Sequence, residues 1–152
     1  MYEEFYGFKE RPFALVPDPS FLYLSKGHGT ALTLLRYSIM NRQGFTVVSG
    51  EVGSGKTTLV NRLLDELKTG VTVGLINFTT RTFGDMAEWI MMAYGLPYKN
   101  KGKVELYEDF VQFMIREYAA GRPVVLIVDE AQNLGIRGLE EIRMLSNVNA
   151  QK

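Results

Sequence analysis

The chain has 152 residues, 46% of them apolar, which suits one domain with a real core and excludes a disordered tail. Lys plus Arg and Asp plus Glu stand at 17 each, so no global field draws the chain to nucleic acid, though a local basic patch stays open. With no cysteine and a single histidine, His28, the composition excludes disulfides, thiolate metal sites and His-rich metal sites.

The start, "MYEEFYGFKERPF", is acidic and aromatic and does not have the pattern of a signal peptide. Residues 1–24 show no clean period. Pro12, Pro17 and Pro19 each fix φ and remove a donor, so this segment reads as a stiff extended arm rather than a helix. Phe13, Leu15, Phe21, Leu22 and Leu24 suggest an arm laid on a domain, which divides the chain into an arm over 1–26 and a domain over 27–152. His28, Ala31, Leu32, Leu35 and Ile39 recur at helical spacing and predict a helix over 27–42, with Ser25 as N-cap and Gly44 as stop. "FTVVS", 45–49, is a β-branched run that predicts a buried strand. A glycine-rich loop follows, and then a helical stripe (Leu59, Val60, Leu63, Leu64, Leu67) ending at Gly70.

"VTVGLINF", 71–78, predicts a second strand, and "TFGD", 82–85, a capping box opening a helix through Met86, Ala87, Ile90, Met91 and Tyr94. Gly95 and Pro97 close that helix, and "YKNKGK" is a polar, basic loop. Tyr107, Phe110, Val111, Met114 and Tyr118 mark another amphipathic helix, stopped by Gly121 and Pro123. "VVLIVD", 124–129, is apolar up to its acidic end, which predicts a strand covered on both faces in a parallel sheet. Its apolar run is far shorter than the ~20 residues that span a bilayer. Leu139, Ile142 and Leu145 begin a last helix. Strands alternating with helices imply an α/β fold of three layers, αβα, with a parallel sheet.

The loop "GEVGSGKTT" meets the pattern G-x-x-x-x-G-K-[ST] with Gly50, Gly55, Lys56 and Thr57, between a predicted strand and a predicted helix. Glycines let successive N–H groups curl into one concavity, and the helix N-terminus adds the positive end of its dipole. Gly50, Glu51, Val52, Gly53, Ser54, Gly55, Lys56, Thr57 and Thr58 are therefore expected to cradle the phosphates of ATP. Lys56 would bring its charge to the β- and γ-phosphates, and the Thr57 hydroxyl would ligate Mg²⁺. A glycine-rich strand–helix turn without a ligand is the plain alternative.

The other half of such a site is an acidic residue at the end of a buried strand. Asp129 occupies that place, at the carboxyl end where open α/β sheets bind ligands, and would hold Mg²⁺ directly or through water. Glu130, next to it, could orient and deprotonate a water for in-line attack on the γ-phosphate. The plain alternative is that both carboxylates cap the following helix. A GTPase would need a guanine-reading N-K-x-D string. The nearest, "NKGK" at 100–103, ends in lysine and follows a helix, so that class is rejected. A small-molecule kinase stays as a minor alternative.

"MYEEFYGFKERPFALVPDPSFLYLS", "GFTVVSGEVGSGKTTLVNRLL" and "VVLIVDEAQNL" with "LEEIRMLSN" together resemble the AAA ATPases of the general secretion pathway protein A (ExeA) type. These belong to the larger group that includes the TnsC- and TniB-like transposition ATPases. The resemblance runs along essentially the whole chain, and it implies a AAA-type P-loop NTPase fold of the ASCE class. It assigns Lys56 and Thr57 to the Walker A motif, and Asp129 and Glu130 to Walker B. It implies a cytoplasmic ATPase domain that forms a homo-oligomeric ring or filament and works with a membrane partner in secretion-complex assembly. The alternative it implies is a transposition target regulator assembled on DNA, which the neutral charge does not favour. Two departures concern single residues: Ser54 stands where threonine is common, and Gly27 and Gly29 weaken the first helix. The third is that the chain ends soon after Asp129, where the family continues into a sensor strand and a lid. The chain is therefore expected to be a fragment, with a gap in the middle of its sheet and slow turnover on its own.

The remaining residues carry smaller expectations. Phe13, Pro17 or Leu24 could wall an adenine pocket or simply pack on the first helix. Arg143 and Asn147 could act on a neighbouring subunit's nucleotide, although a salt bridge and a helix C-cap are the plainer roles. Gln132 and Asn133 read as γ-phosphate contacts or as capping residues, and His28 as a packed or surface histidine. Trp89, Met91 and Met92 read as core or interface residues, and the lysines of "YKNKGK" as solvated rather than DNA-binding.

Overall fold

The computed structural model describes residues 2–9, 11, 23–67, 69–77 and 85–150, the side chains of 149 and 150 excepted. Among the described residues six α-helices and two strands follow in the order α1 (Tyr2–Tyr6), α2 (Lys26–Met40), α3 (Lys56–Glu66), β1 (Thr72–Asn77), α4 (Met86–Ala93), α5 (Lys103–Ala119), β2 (Val124–Asp129) and α6 (Gly135–Ser146). A 3-10 turn (Ala131–Asn133) leads into α6.

The strands pair in parallel, from Thr72 beside Val124 to Asn77 beside Asp129. Side chains alternate across a sheet, so β2 serves two cores. Val124, Leu126 and Val128 pack, with Ile76 of β1, into a core built by Met86, Ile90, Met91, Leu106, Phe110 and Phe113 of α4 and α5. Ile127 packs instead on Leu32, Leu59 and Leu63 of α2 and α3. Helices thus cover both faces of the sheet, the three-layer α/β arrangement. Ile90, Met91 and Leu106 are the most deeply buried side chains, and each contributes roughly 1.5–3 kcal/mol by leaving water. Gly74 has no room for a side chain, since a Cβ there would lie 2.8 Å from the Tyr94 ring.

Capping explains several boundaries. Ser25 caps α2, its Oγ accepting the His28 N–H at 3.3 Å. Asp85 caps α4 by accepting from Ala87 N at 3.2 Å. The cap is therefore the last residue of "TFGD" rather than the first, and Thr82 and Phe83 lie outside the described residues. Met91 is core, Trp89 packs beside it, and Met92 is exposed.

Two expectations fail. The segment 45–49 is not a strand: none of its residues joins the ladder, and Phe45, Val47 and Val48 are exposed. β-branched residues favour a strand only where a neighbour supplies the hydrogen bonds, and among the described residues β2 pairs with β1 alone. The arm is also not wholly extended, because Tyr2–Tyr6 forms α1. The prolines begin at Pro12 and leave this stretch free to coil. Glu3 and Glu4 favour its first turn, and Gly7, at φ 66°, ends it. Pro12, Phe13, Leu15, Pro17, Pro19, Phe21 and Leu22 lie outside the described residues, while Leu24 is exposed.

Glu117 ties α5 to the sheet. Its carboxylate accepts from Arg122 Nε and Nη2 at 2.7 Å each and from the Thr72 hydroxyl. The Arg122 guanidinium, helped by Thr72, holds the Glu117 pKa down to about 2, against the opposing effect of burial. A folded pKa below the unfolded value of 4.5 gives stability that is present above pH 4.5 and lost as pH falls towards 2. Thermal melts of wild type and Glu117→Gln should differ at pH 7 and converge near pH 2. A gap that persists at pH 2 would show that the charge is not its source.

Candidate nucleotide-binding and catalytic site

The loop joins the end of the 45–49 segment to α3. Gly53 and Gly55 take φ of 77° and 87°, a left-handed backbone that glycine adopts without strain, and Gly55 is the N-cap of α3. A Cβ on Gly50 would stand 2.9 Å from Ser54 Oγ, so the serine side chain would have to turn aside. Gly50, Glu51, Val52, Gly53 and Ser54 are exposed, and Gly55, Lys56, Thr57 and Thr58 are half-buried at the start of α3. The loop therefore presents the N-terminal N–H groups of an eleven-residue helix, a ready anion site.

Lys56 reaches back across the loop. Its Nζ donates to the Gly50 carbonyl at 2.9 Å and the Glu51 carbonyl at 2.8 Å. These bonds hold the ammonium over the loop, two of its three donors engaged. Thr57 Oγ1 donates to Asp129 Oδ2 at 2.9 Å, which brings the loop and the end of β2 together across 72 residues of sequence. Asp129 Oδ1 accepts the Glu130 N–H at 3.0 Å.

Glu130 has φ 56° and ψ 38°, an uncommon conformation for a residue with a side chain. Such strain is held in place by its surroundings and gathers at functional sites. The Glu130 carbonyl accepts from Asn133 N at 2.9 Å, and its carboxylate accepts from the Gln132 side-chain amide. The Glu130 side chain makes no capping bond to the following turn, so helix capping does not account for it.

The pair Thr57–Asp129 offers hard oxygen donors, the chemistry that suits Mg²⁺ and not a soft metal. Among the described residues no cluster of three or more His, Asp or Glu could hold a metal by itself.

The structure joins Thr57 to Asp129, with Lys56 and Glu130 as their immediate chain neighbours. Gln132 joins them through Glu130. Arg143 instead pairs with Glu140, its Nη2 3.0 Å from Oε2, and Asn147 is the C-cap of α6. Lys101 is paired with Asp109 and Glu105, and Lys103 with Asp85, so these loop lysines form no bare basic patch. His28 of α2 does more than pack. Its Nε2 lies 2.7 Å from the Ser54 carbonyl, inside the phosphate loop. The one available signal was its place three residues after the Ser25 cap, which sets it at the helix end nearest the loop.

A left-handed glycine loop that opens a helix, with an acidic strand end bonded to its threonine, defines the P-loop class of α/β domains. Residues 39–152 match the AAA domain family, three-quarters of the chain, and the protein belongs to that family. Over 153 aligned residues it is 37% identical to general secretion pathway protein A of Aeromonas hydrophila. The alignment covers 100% of this chain and 28% of that protein, so the chain spans just over a quarter of its relative's length. No solved structure matches. Among the described residues no helix is long and apolar enough to cross a membrane.

Proposed function

We propose that this chain is the nucleotide-binding part of a Mg²⁺-dependent ATPase. The observation that carries this reading is the 2.9 Å bond between Thr57 and Asp129, because it sets the threonine of the phosphate loop beside the acidic strand end. Loop residues 50–58 would take the phosphates through their N–H groups and Lys56. Thr57 and Asp129 would hold Mg²⁺, which supplies charge neutralisation on the β- and γ-phosphates. Glu130 would take the proton of the attacking water.

The relative's name supports a role in general secretion, and we place the domain on the cytoplasmic side of a membrane. In that role the domain would assemble as a ring or filament beside a membrane partner. A charge from the neighbouring copy would stabilise the transition state. Turnover by the chain alone would be slow for want of that charge. No observation favours the DNA-assembled alternative.

Calorimetric titration of the purified chain with Mg²⁺ and a non-hydrolysable ATP analogue tests the reading. Saturable binding at micromolar concentration is expected. A chain that is folded by circular dichroism yet gives no heat would overturn it.

A further inference from the structure

We infer that His28 is a positioning residue of the phosphate loop and sets its affinity for nucleotide. This inference rests on the nucleotide-binding reading of that loop. His28 sits in the first turn of α2, half-buried, far in sequence from the loop. Its two ring nitrogens are both engaged. Nε2 lies 2.7 Å from the Ser54 carbonyl, and Nδ1 lies 2.7 Å from Ser25 Oγ. A carbonyl oxygen only accepts, so Nε2 carries the proton and donates to Ser54. Ser25 Oγ accepts the His28 backbone N–H at 3.3 Å and has its own hydrogen to give, which suits the lone pair on Nδ1. The hydrogen bonds of the chain Ser25–His28–Ser54 are thus fully satisfied. The chain connects the helix cap at the end of the arm to the loop.

The effect on the loop follows from peptide geometry. The 54–55 peptide is trans, and a planar trans peptide points its C=O and its N–H in opposite directions. Fixing the Ser54 oxygen on the α2 side therefore turns the Gly55 N–H away from α2. Gly55 is the N-cap of α3, and its φ of 87° belongs to a peptide orientation that could otherwise flip. The imidazole also closes the α2 side of the loop sterically, because a Cβ on Gly55 would come within 3.2 Å of Nε2. A phosphate can then approach only the opposite face, the one to which the Gly55 N–H points. Without the imidazole the loop would have to be ordered at the moment of binding, which lowers affinity.

The test is titration with Mg²⁺ and the non-hydrolysable ATP analogue, with thermal melts run in parallel. His28→Phe keeps the ring and removes the donor. It should raise Kd about five- to tenfold, the worth of one hydrogen bond, while melting within a few degrees of wild type. His28→Gln, which can donate from its amide to the same carbonyl, should recover most of the affinity. Ser25→Ala leaves the imidazole but removes its orienting hydroxyl and should fall between the two. It also serves if His28→Phe does not fold. A merely structural histidine would change melting and binding together, and glutamine would not rescue it.

If wild type binds and His28→Phe binds equally well, the inference fails while the nucleotide reading stands. Failure of His28→Gln to improve on a folded His28→Phe would exclude the hydrogen bond as the cause. If wild type itself does not bind, both the nucleotide reading and the inference fall.

Discussion

Lys56→Ala is expected to raise the Kd for the Mg²⁺–ATP analogue by about a hundredfold and to put it beyond calorimetric detection. A charged donor to a phosphate oxygen is among the strongest single contacts a protein makes, and its loss costs about 1.5–3 kcal/mol, charge included, whose upper end is about a hundredfold in Kd. The variant should still fold. Lys56 lies outside the two hydrophobic clusters, and the carbonyls of Gly50 and Glu51 that it now satisfies belong to exposed residues that water can reach. A melting temperature within a few degrees of wild type would separate lost binding from lost structure. Lys56→Arg sharpens the point. It keeps the charge, but a planar fork cannot reproduce the bonds of a compact ammonium to two loop carbonyls, so most of the affinity should still go. Unchanged binding in Lys56→Ala would mean that the loop is a turn and not a phosphate site.

The parts of this site that were legible in the sequence are those whose chemistry is set by local spacing. Gly50, Gly55, Lys56 and Thr57 declare a loop because the turn, the helix start and the charge lie within eight residues. Asp129 was legible because it ends an unbroken apolar run, and β2 forms over the expected residues. The failures are non-local or too short to carry a period. Phe45, Val47 and Val48 look like strand residues, but a strand exists only with a partner, and no local pattern reports whether one is there. Five residues of α1 are too few for a helical period to be seen beside the prolines that follow. His28 has the same spacing as the core residues Ala31, Leu32 and Leu35, so its contact with Ser54, across 26 residues, could not be told from packing. The left-handed backbone of Glu130 also has no sequence signal, since glutamate rarely adopts it.

Glu130→Gln should separate binding from chemistry. The amide has the size of the carboxylate, and its oxygen can still accept from Gln132, so the turn after β2 should keep its shape. It cannot take a proton from water. A general base contributes about 10²–10⁴-fold, so single-turnover hydrolysis with the chain in excess should slow by about a hundredfold, while analogue affinity stays within about threefold. Glu130→Asp withdraws the carboxylate by one methylene and should fall between the two, as expected for a base that must touch its water. Glu130→Gly is the complementary variant. It removes the side chain from a left-handed position whose steric cost is roughly 1–2 kcal/mol, so it should melt higher than wild type while losing hydrolysis. That pairing of higher stability with lower activity would mark the strained glutamate as kept for chemistry. Hydrolysis at the wild-type rate in Glu130→Gln would instead mean that the carboxylate is no base. With binding intact, the chain would then hold nucleotide as an assembly switch, and its energy would come from binding rather than from turnover.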